Sequence, residues 1–230
     1  GRVDTDRIAE LLKVTPDDVA QALDGLVFTD PDTATLVPAE TYLSGDVRAK
    51  LAAARSAAEH DDTFAANVSA LQSVVPPTVP LAEVTIRPGA GWLGSELHAQ
   101  FVREVFEFHV TVEQSVTDGA WVVEGPGRAG TPAHVLFQYG TEDRTPLELL
   151  TATMNNRPVT IWRTEKLTSG GERRWQDMPA TAAAREKVRV IEAAFTTWVH
   201  ADENRVTELE TTYNVLFNSY RAPDYSTAGT

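Results

Sequence analysis

Cysteine is absent from the 230 residues. That excludes a disulfide scaffold, a thiolate zinc site and a cysteine nucleophile, and it fits a reducing compartment, so a cytoplasmic location is expected. No apolar run approaches the roughly 20 residues that a membrane helix needs, and no membrane partner is expected. The start, GRVDTDRIAE, has neither a signal-peptide core nor an initiator Met. A beginning in mid-pattern is what a piece of a longer chain would show. Basic residues are scarce: 20 Lys and Arg against 33 Asp and Glu give a net charge of −13. Such an excess opposes non-specific nucleic-acid binding, whose affinity comes from phosphate attraction.

The charge is unevenly spread. Residues 1–75 carry 6 basic and 13 acidic side chains, and residues 76–151 carry 4 and 10. Residues 152–200 reverse the balance, with 8 basic and 5 acidic, and residues 201–230 return to 2 and 5. Only the third stretch is basic, and it also holds Trp162, Trp175 and Trp198.

Hydrophobic residues make up 42 %, enough to bury a core. Ile8, Leu11 and Leu12 lie at helical spacing. Thr15-Pro16-Asp17-Asp18 opens a second helix with a cap, a first-turn proline and acids at the positive helix end. Val19, Ala22, Leu23 and Leu26 would continue its buried face. Val27-Phe28 and Leu36-Val37 flank an Asp30-Pro31-Asp32 turn. Helix, helix, hairpin is a winged-helix pattern, used either to read DNA or to pack against protein. The acids at the start of the second helix oppose DNA reading. Residues 46–75 predict a helical hairpin broken at His60-Asp61-Asp62, with Ser44 or Asp46 as its first cap. Pro76, Pro77 and Pro80 then end regular structure.

Beyond the prolines the pattern mixes strands and helices. Strands are expected at 83–87, 108–112, 120–124, 134–139, 159–163 and 173–176. Asp118-Gly119 and Gly170-Gly171 are hairpin turns. Helices are expected from Ser95 to Phe106, from Thr145-Pro146 to Met154, from Thr181 to His200 and from Glu203 to Ser219. The long one buries Ala184, Val188, Ile191, Phe195 and Trp198; the last buries Val206, Leu209, Tyr213 and Phe217. The expected fold is α+β: a winged-helix-like unit (1–45), a helical hairpin (46–75), a Pro-rich linker (76–80), a small antiparallel-sheet domain with packed helices and two long C-terminal helices (81–220), and a disordered tail (221–230).

Catalytic and cofactor motifs are missing. There is no GxxxxGK[ST] phosphate loop, and Gly125–Gly130 lacks the spacing of a dinucleotide loop. The five histidines show neither HExxH nor HxH spacing, and there is no GxSxG elbow. Asn155-Asn156-Arg157-Pro158 lacks the second proline and aromatic of the adenine-methyltransferase signature. No catalytic residue, metal or cofactor is expected in this stretch.

One constellation combines cations with aromatic rings: Arg157, Trp162, Arg163, Lys166, Arg173, Arg174 and Trp175, extended along the next helix by Arg185, Lys187 and Arg189. Arg and Lys neutralise phosphates, and a Trp face stacks an exposed base. The alternative is a surface hairpin with buried tryptophans.

The junction Thr41–Leu51 carries a resemblance. YLSGDVRAKLAAA resembles the YLSG-[DN]-VR-x-KL motif of very large phage- and plasmid-borne proteins. Those proteins combine an N6-adenine DNA methyltransferase-like region with a Swi/Snf-like superfamily 2 helicase. GRVDTDRIAELL, VFTDPDTATLVPAETYLSG, FAANVSAL, TIRPGAGWL, YGTEDRTPLELL and FTTWVHADENRVTELETTYNVLFN are similar to further elements of that family in the same order. The prolines of IRPGAGW and VVPPTVP depart locally from its pattern. The resemblance implies a connecting segment between the methylase-like region and the helicase motor, with the ATP-binding loop beyond Thr230. Within the motif, Ser44, Asp46, Arg48 and Lys50 read as cap and surface residues.

The leading expectation is a non-catalytic DNA-engagement or coupling segment of a probable DNA helicase. Its partners would be DNA and the flanking helicase and methyltransferase domains. The alternative is a protein-interaction scaffold that docks onto the flanking motor without touching DNA.

Overall fold

The first unit builds its core from the hairpin and helices that precede the prolines. The structure is a computed structural model that describes residues 5–15, 18, 19, 22–168 and 170–223. The chain is mixed α+β and divides into two compact units, one of residues up to Leu81 together with those from Glu210 onward, the other Ala82–Leu209.

In the first unit, α1 (Thr5–Leu12) is followed by a capped turn. Thr15 Oγ1 accepts the Asp18 N–H at 3.2 Å, and the Asp18 carboxylate accepts from the Thr15 N–H and hydroxyl. This reciprocal pairing satisfies helix-start donors that would otherwise be orphaned. Pro16, Asp17, Ala20 and Gln21 of the expected second helix lie outside the described residues. Of its expected buried face, Val19 is buried, but Ala22 and Leu26 are exposed; Leu11 of α1 is exposed as well. Among the residues of these two helices whose burial is described, Ala9 and Val19 are the buried ones.

β1 (Val27–Asp30) and β2 (Thr35–Pro38) pair antiparallel with Phe28 opposite Val37. α2 (Ala39–Tyr42), the two-residue β3 (Gly45–Asp46), α3 (Val47–Ala58) and α4 (Ala65–Val74) follow. Phe28, Tyr42, Val47, Leu51, Ala54 and Leu71 form the core, with the Phe28 and Tyr42 rings stacked at 5.2 Å. Asn67 is buried among them and donates to the Thr29 carbonyl and the Tyr42 hydroxyl, so its polar atoms are not stranded.

The TYLSGDVRAKL junction is a backbone staple. Asp46 caps α3 by accepting the Ala49 N–H. Lys50 Nζ donates to the carbonyls of Thr41, Tyr42 and Ser44, and Arg48 donates to those of Pro76 and Asn218. Arg48 and Lys50 are thus half-buried carbonyl ligands, a correction to their reading as surface residues. The reason is geometric: the sharp turn at Gly45 (φ +77) exposes carbonyls that no helix or ladder satisfies.

The proline stretch is held in the same way. Prolines remove backbone donors and prevent a ladder, so the remaining polar groups need side chains. Asn214 accepts from the Val79 N–H and donates to its carbonyl, both at 2.9 Å, and Asn218 donates to the Pro77 carbonyl at 2.7 Å. β8 (Tyr220–Arg221) pairs antiparallel with β3. Residues 210–223 therefore lie with the N-terminal unit, whereas the sequence placed everything from 81 to 220 together. The expected disordered tail begins at 221; Arg221 is paired in β8, and residues 224–230 lie outside the described ones.

The second unit has an aromatic core. α5 (Ser95–Phe101) runs into a π turn (Val102–Phe106) that ends at Glu107 with φ +64. β4 (Thr111–Gln114) and β5 (Trp121–Glu124) form a hairpin, followed by α6 (Ala133–Tyr139) and α7 (Pro146–Met154). Thr145 and Glu148 make a full capping box at the start of α7. β6 (Trp162–Lys166) and β7 (Glu172–Gln176) form a second hairpin, and α8 (Met178–His200) follows; of α9 (Glu203–Phe217), the residues up to Leu209 belong to this unit and the rest to the first. Phe101, Phe106, Phe195 and Trp198 meet edge to face or tilted at 5.0–6.0 Å. Trp198 donates its indole N–H to Glu104 at 2.7 Å, which holds that carboxyl below its ordinary range, and the Arg205 guanidinium lies 3.5 Å over the Trp198 ring.

Several sequence readings change here. Residues 134–139 are helix rather than strand: Pro132 starts the turn, and Val135 and Tyr139 are buried four apart while Phe137 is 85 % exposed. Residues 83–87 form no strand; Leu81–Glu83 is a single 3-10 turn, and Pro80 and Pro88 bracket the segment. The strand expected at 159–163 begins instead at Trp162, because Val159 and Ile161 are buried below it. α8 starts three residues before Thr181, where Asp177 accepts the Ala180 N–H as cap. In α9, Leu209 is buried but Phe217 is 59 % exposed. No helix among the described residues is long and apolar enough to cross a membrane.

Candidate nucleic-acid interface

The hairpin β6–β7 stands out from the second unit as a two-stranded ribbon. Every residue of both strands is exposed except Arg163 and Gln176, which are half-buried. Isolated two-stranded ribbons are marginal in water, so its stability must come from the foot and from cross-strand pairs. At the foot, the Ile161 N–H donates to the Thr181 hydroxyl, and the Asp177 N–H donates to the Ile161 carbonyl. At the tip, Gly170 takes φ +87, and the Leu167 N–H reaches the Gly171 carbonyl at 2.7 Å.

The register sorts the candidate side chains. Trp162 faces Gln176, Arg163 faces Trp175, Thr164 faces Arg174, Glu165 faces Arg173 and Lys166 faces Glu172. Directly opposed residues share a face, and neighbours along a strand alternate. One face therefore carries Trp162, Lys166 and Arg174 with Glu172. The other carries Arg163, Arg173 and Trp175 with Glu165. Arg174 lies 4.7 Å from the Trp162 ring centre, a diagonal cation–π pair across the strands. Trp162 is 49 % exposed and Trp175 41 % exposed, so neither is the buried tryptophan of the alternative sequence reading.

Arg163 is not free. It grips Asp143 through both terminal nitrogens and Asp177 through Nε at 2.9 Å. The Asp143 carboxylate, then Asp177, raises the guanidinium pKa, while the Ala180 N–H, then Arg163, lowers that of Asp177. The same Asp177 caps α8, so one carboxylate ties the ribbon to the long helix.

The remaining cations sit elsewhere. Arg157 and Arg185 line a shared cavity of about 280 Å³, where Arg185 Nε donates to the Val159 carbonyl. Arg157 also borders a larger groove of about 800 Å³ that runs between the Gly125–Gly127 loop and α7. Arg189 pairs with Glu186 at 3.0 Å, and Lys187 donates to the Phe137 and Gln138 carbonyls at the end of α6. The predicted set is thus split: Trp162, Lys166, Arg173, Arg174 and Trp175 are presented on the ribbon, Arg163 anchors it, Arg157 and Arg185 line a groove, and Arg189 is paired on the helix surface. Sequence reasoning missed Asp143 and Asp177 as the anchor. Asp177 was findable, as a cap two residues before Pro179; Asp143 gave no local signal. Among the described residues, no three His, Asp or Glu side chains are grouped to hold a metal ion.

A family model described as a domain of unknown function, DUF8437, matches residues 87–219, more than half of the chain. The chain belongs to the DUF8437 family. The DUF8437 match takes in the ribbon, its Asp143 and Asp177 anchors and the aromatic core. A second model, described as a probable helicase, winged helix domain, matches residues 1–39. Residues 1–39 are therefore similar to a helicase-associated winged-helix unit. No curated protein and no solved structure matches the chain.

Proposed function

We propose that this chain is a non-catalytic DNA-engagement and coupling segment of a helicase-associated protein. The observation that carries the reading is the β6–β7 ribbon, which exposes two tryptophans beside Lys166, Arg173 and Arg174 in a chain whose net charge is −13. Exposed aromatic area beside cations fits nucleic acid, where rings stack on bases and cations meet phosphates. The similarity of residues 1–39 to a helicase winged-helix domain supports a helicase context. In the fuller form of this proposal the parent protein joins a Swi/Snf-like motor to an adenine methyltransferase on a phage or plasmid element, works in the cytoplasm, and binds ATP outside this segment.

A salt-dependent titration of the chain with single- and double-stranded DNA tests it. Binding at low salt that is lost in the Arg173→Glu, Arg174→Glu double variant is the expected result; absence of binding at low salt refutes the DNA part. The acidic charge of the remainder favours a second reading, a scaffold docking onto a helicase motor. Capture of the motor without DNA, by wild type and double variant alike, would support that reading.

A further inference from the structure

Resting on the DNA-engagement reading, we infer that the ligand of the ribbon is a single strand of nucleic acid, held on the Trp162 face. The two faces are chemically unequal. The Trp162 face presents Lys166 and Arg174 against one carboxylate, Glu172. Beside Trp175, the in-register Arg163 is committed to Asp143 and Asp177, and Glu165 lies opposite Arg173. Counting those anchors, that side is net negative and repels phosphates, while the Trp162 side is net positive.

The type of strand follows from magnitudes. Duplex binders draw their affinity from many phosphate contacts, on the order of 6–10. The Trp162 face offers two cations. Base stacking on an exposed tryptophan contributes about 1–3 kcal/mol per base and needs unpaired bases. A ribbon with few cations and an exposed indole therefore gains more from a single strand than from a duplex. Arg174, already 4.7 Å from the Trp162 ring centre, extends that indole into a composite stacking surface and meets the adjoining phosphate. Glu172 keeps the phosphate affinity low, so dependence on salt is shallow. With two phosphates neutralised, the logarithmic slope for a single strand is about −1.4, or about sevenfold weaker binding between 50 and 200 mM salt.

The test uses the full chain and a labelled oligothymidylate of about 15 nucleotides, with a duplex of equal length as competitor. Trp162→Ala is expected to weaken single-strand binding by about 5- to 150-fold, Trp162→Phe to retain most of it, and Trp175→Ala to stay within about twofold of wild type. Trp162 is half-exposed, and unchanged circular dichroism and melting would show that the variants fold. An equal or larger loss in Trp175→Ala overturns the choice of face. A duplex that competes as well as the single strand, or a slope several times steeper, overturns the choice of strand while leaving DNA engagement intact. Binding to neither overturns both.

Discussion

The backbone N–H of Gly89 donates to Nε2 of His98 at 2.8 Å, which fixes the imidazole as its Nδ1–H tautomer. Nδ1 then donates to the Gly94 carbonyl at 2.9 Å, and the ring packs between Trp121 and Phe195. The Trp121 indole returns a bond to the Gly89 carbonyl, and Asn155 bridges the backbone of Trp121 in both directions. This closed polar knot inside an aromatic core sets the turn that precedes α5.

Acidification should strain that knot. Burial pushes the His98 pKa below its ordinary value, against a smaller opposing effect of the Gly94 carbonyl. The unfolded chain therefore takes up the proton more readily than the fold. The contribution of His98 is complete above about pH 6.5, the unfolded value, and is lost as pH falls below it through the lowered folded value. Melting temperature should drop from pH 7 toward pH 5, and the His98 ring resonances should keep the neutral Nδ1–H signature at pH 6.5. A ring that titrates at or above 6.5 contradicts this.

Gly89→Ala should be severely destabilising. Gly89 has φ +82, and an added Cβ would lie 2.2 Å from the Met154 carbonyl oxygen, a backbone atom that cannot swing aside. Left-handed strain and overpacking together predict a loss of about 3 kcal/mol. Urea denaturation measures it; a loss below about 1 kcal/mol would show that the turn relaxes.

Asn214→Ala should loosen the first unit. The buried Asn214 satisfies both polar groups of Val79 and accepts from Asn218. Stranding them costs about 1–3 kcal/mol. Amide exchange at Val79 should accelerate with the fall in stability, and exchange at wild-type rates would show that another group takes over the clamp.

Arg163→Ala should release the ribbon without unfolding the unit beneath it. Its two carboxylate partners are the only ion pairs among those formed by the described residues that join the ribbon to other elements. Hydrogen exchange across 162–176 and tryptic cleavage after Lys166, Arg173 and Arg174 should accelerate several-fold, while α5 and α8 keep their protection. Unchanged exchange in the ribbon would mean that the Ile161–Thr181 foot suffices.

Local rules of the chain determined the α+β class, the Thr145 capping box, the Asp46 cap, the wing-like hairpin at Val27–Pro38 and the β6–β7 ribbon. Each depends on residues a few positions apart, where spacing alone dictates geometry. Helix 133–139 escaped because alternate apolar residues fit a strand until burial shows which face the core wants. Tertiary structure alone decided which cations remain available. Arg163 is neutralised by an aspartate 20 residues away, Asn214 clamps a backbone 135 residues away, and Trp162 and Trp175 stay exposed because their strands have no sheet to join. Charge and aromaticity are properties of the sequence; whether they are spent inside the fold or offered to a ligand depends on contacts between distant segments, which no local spacing encodes.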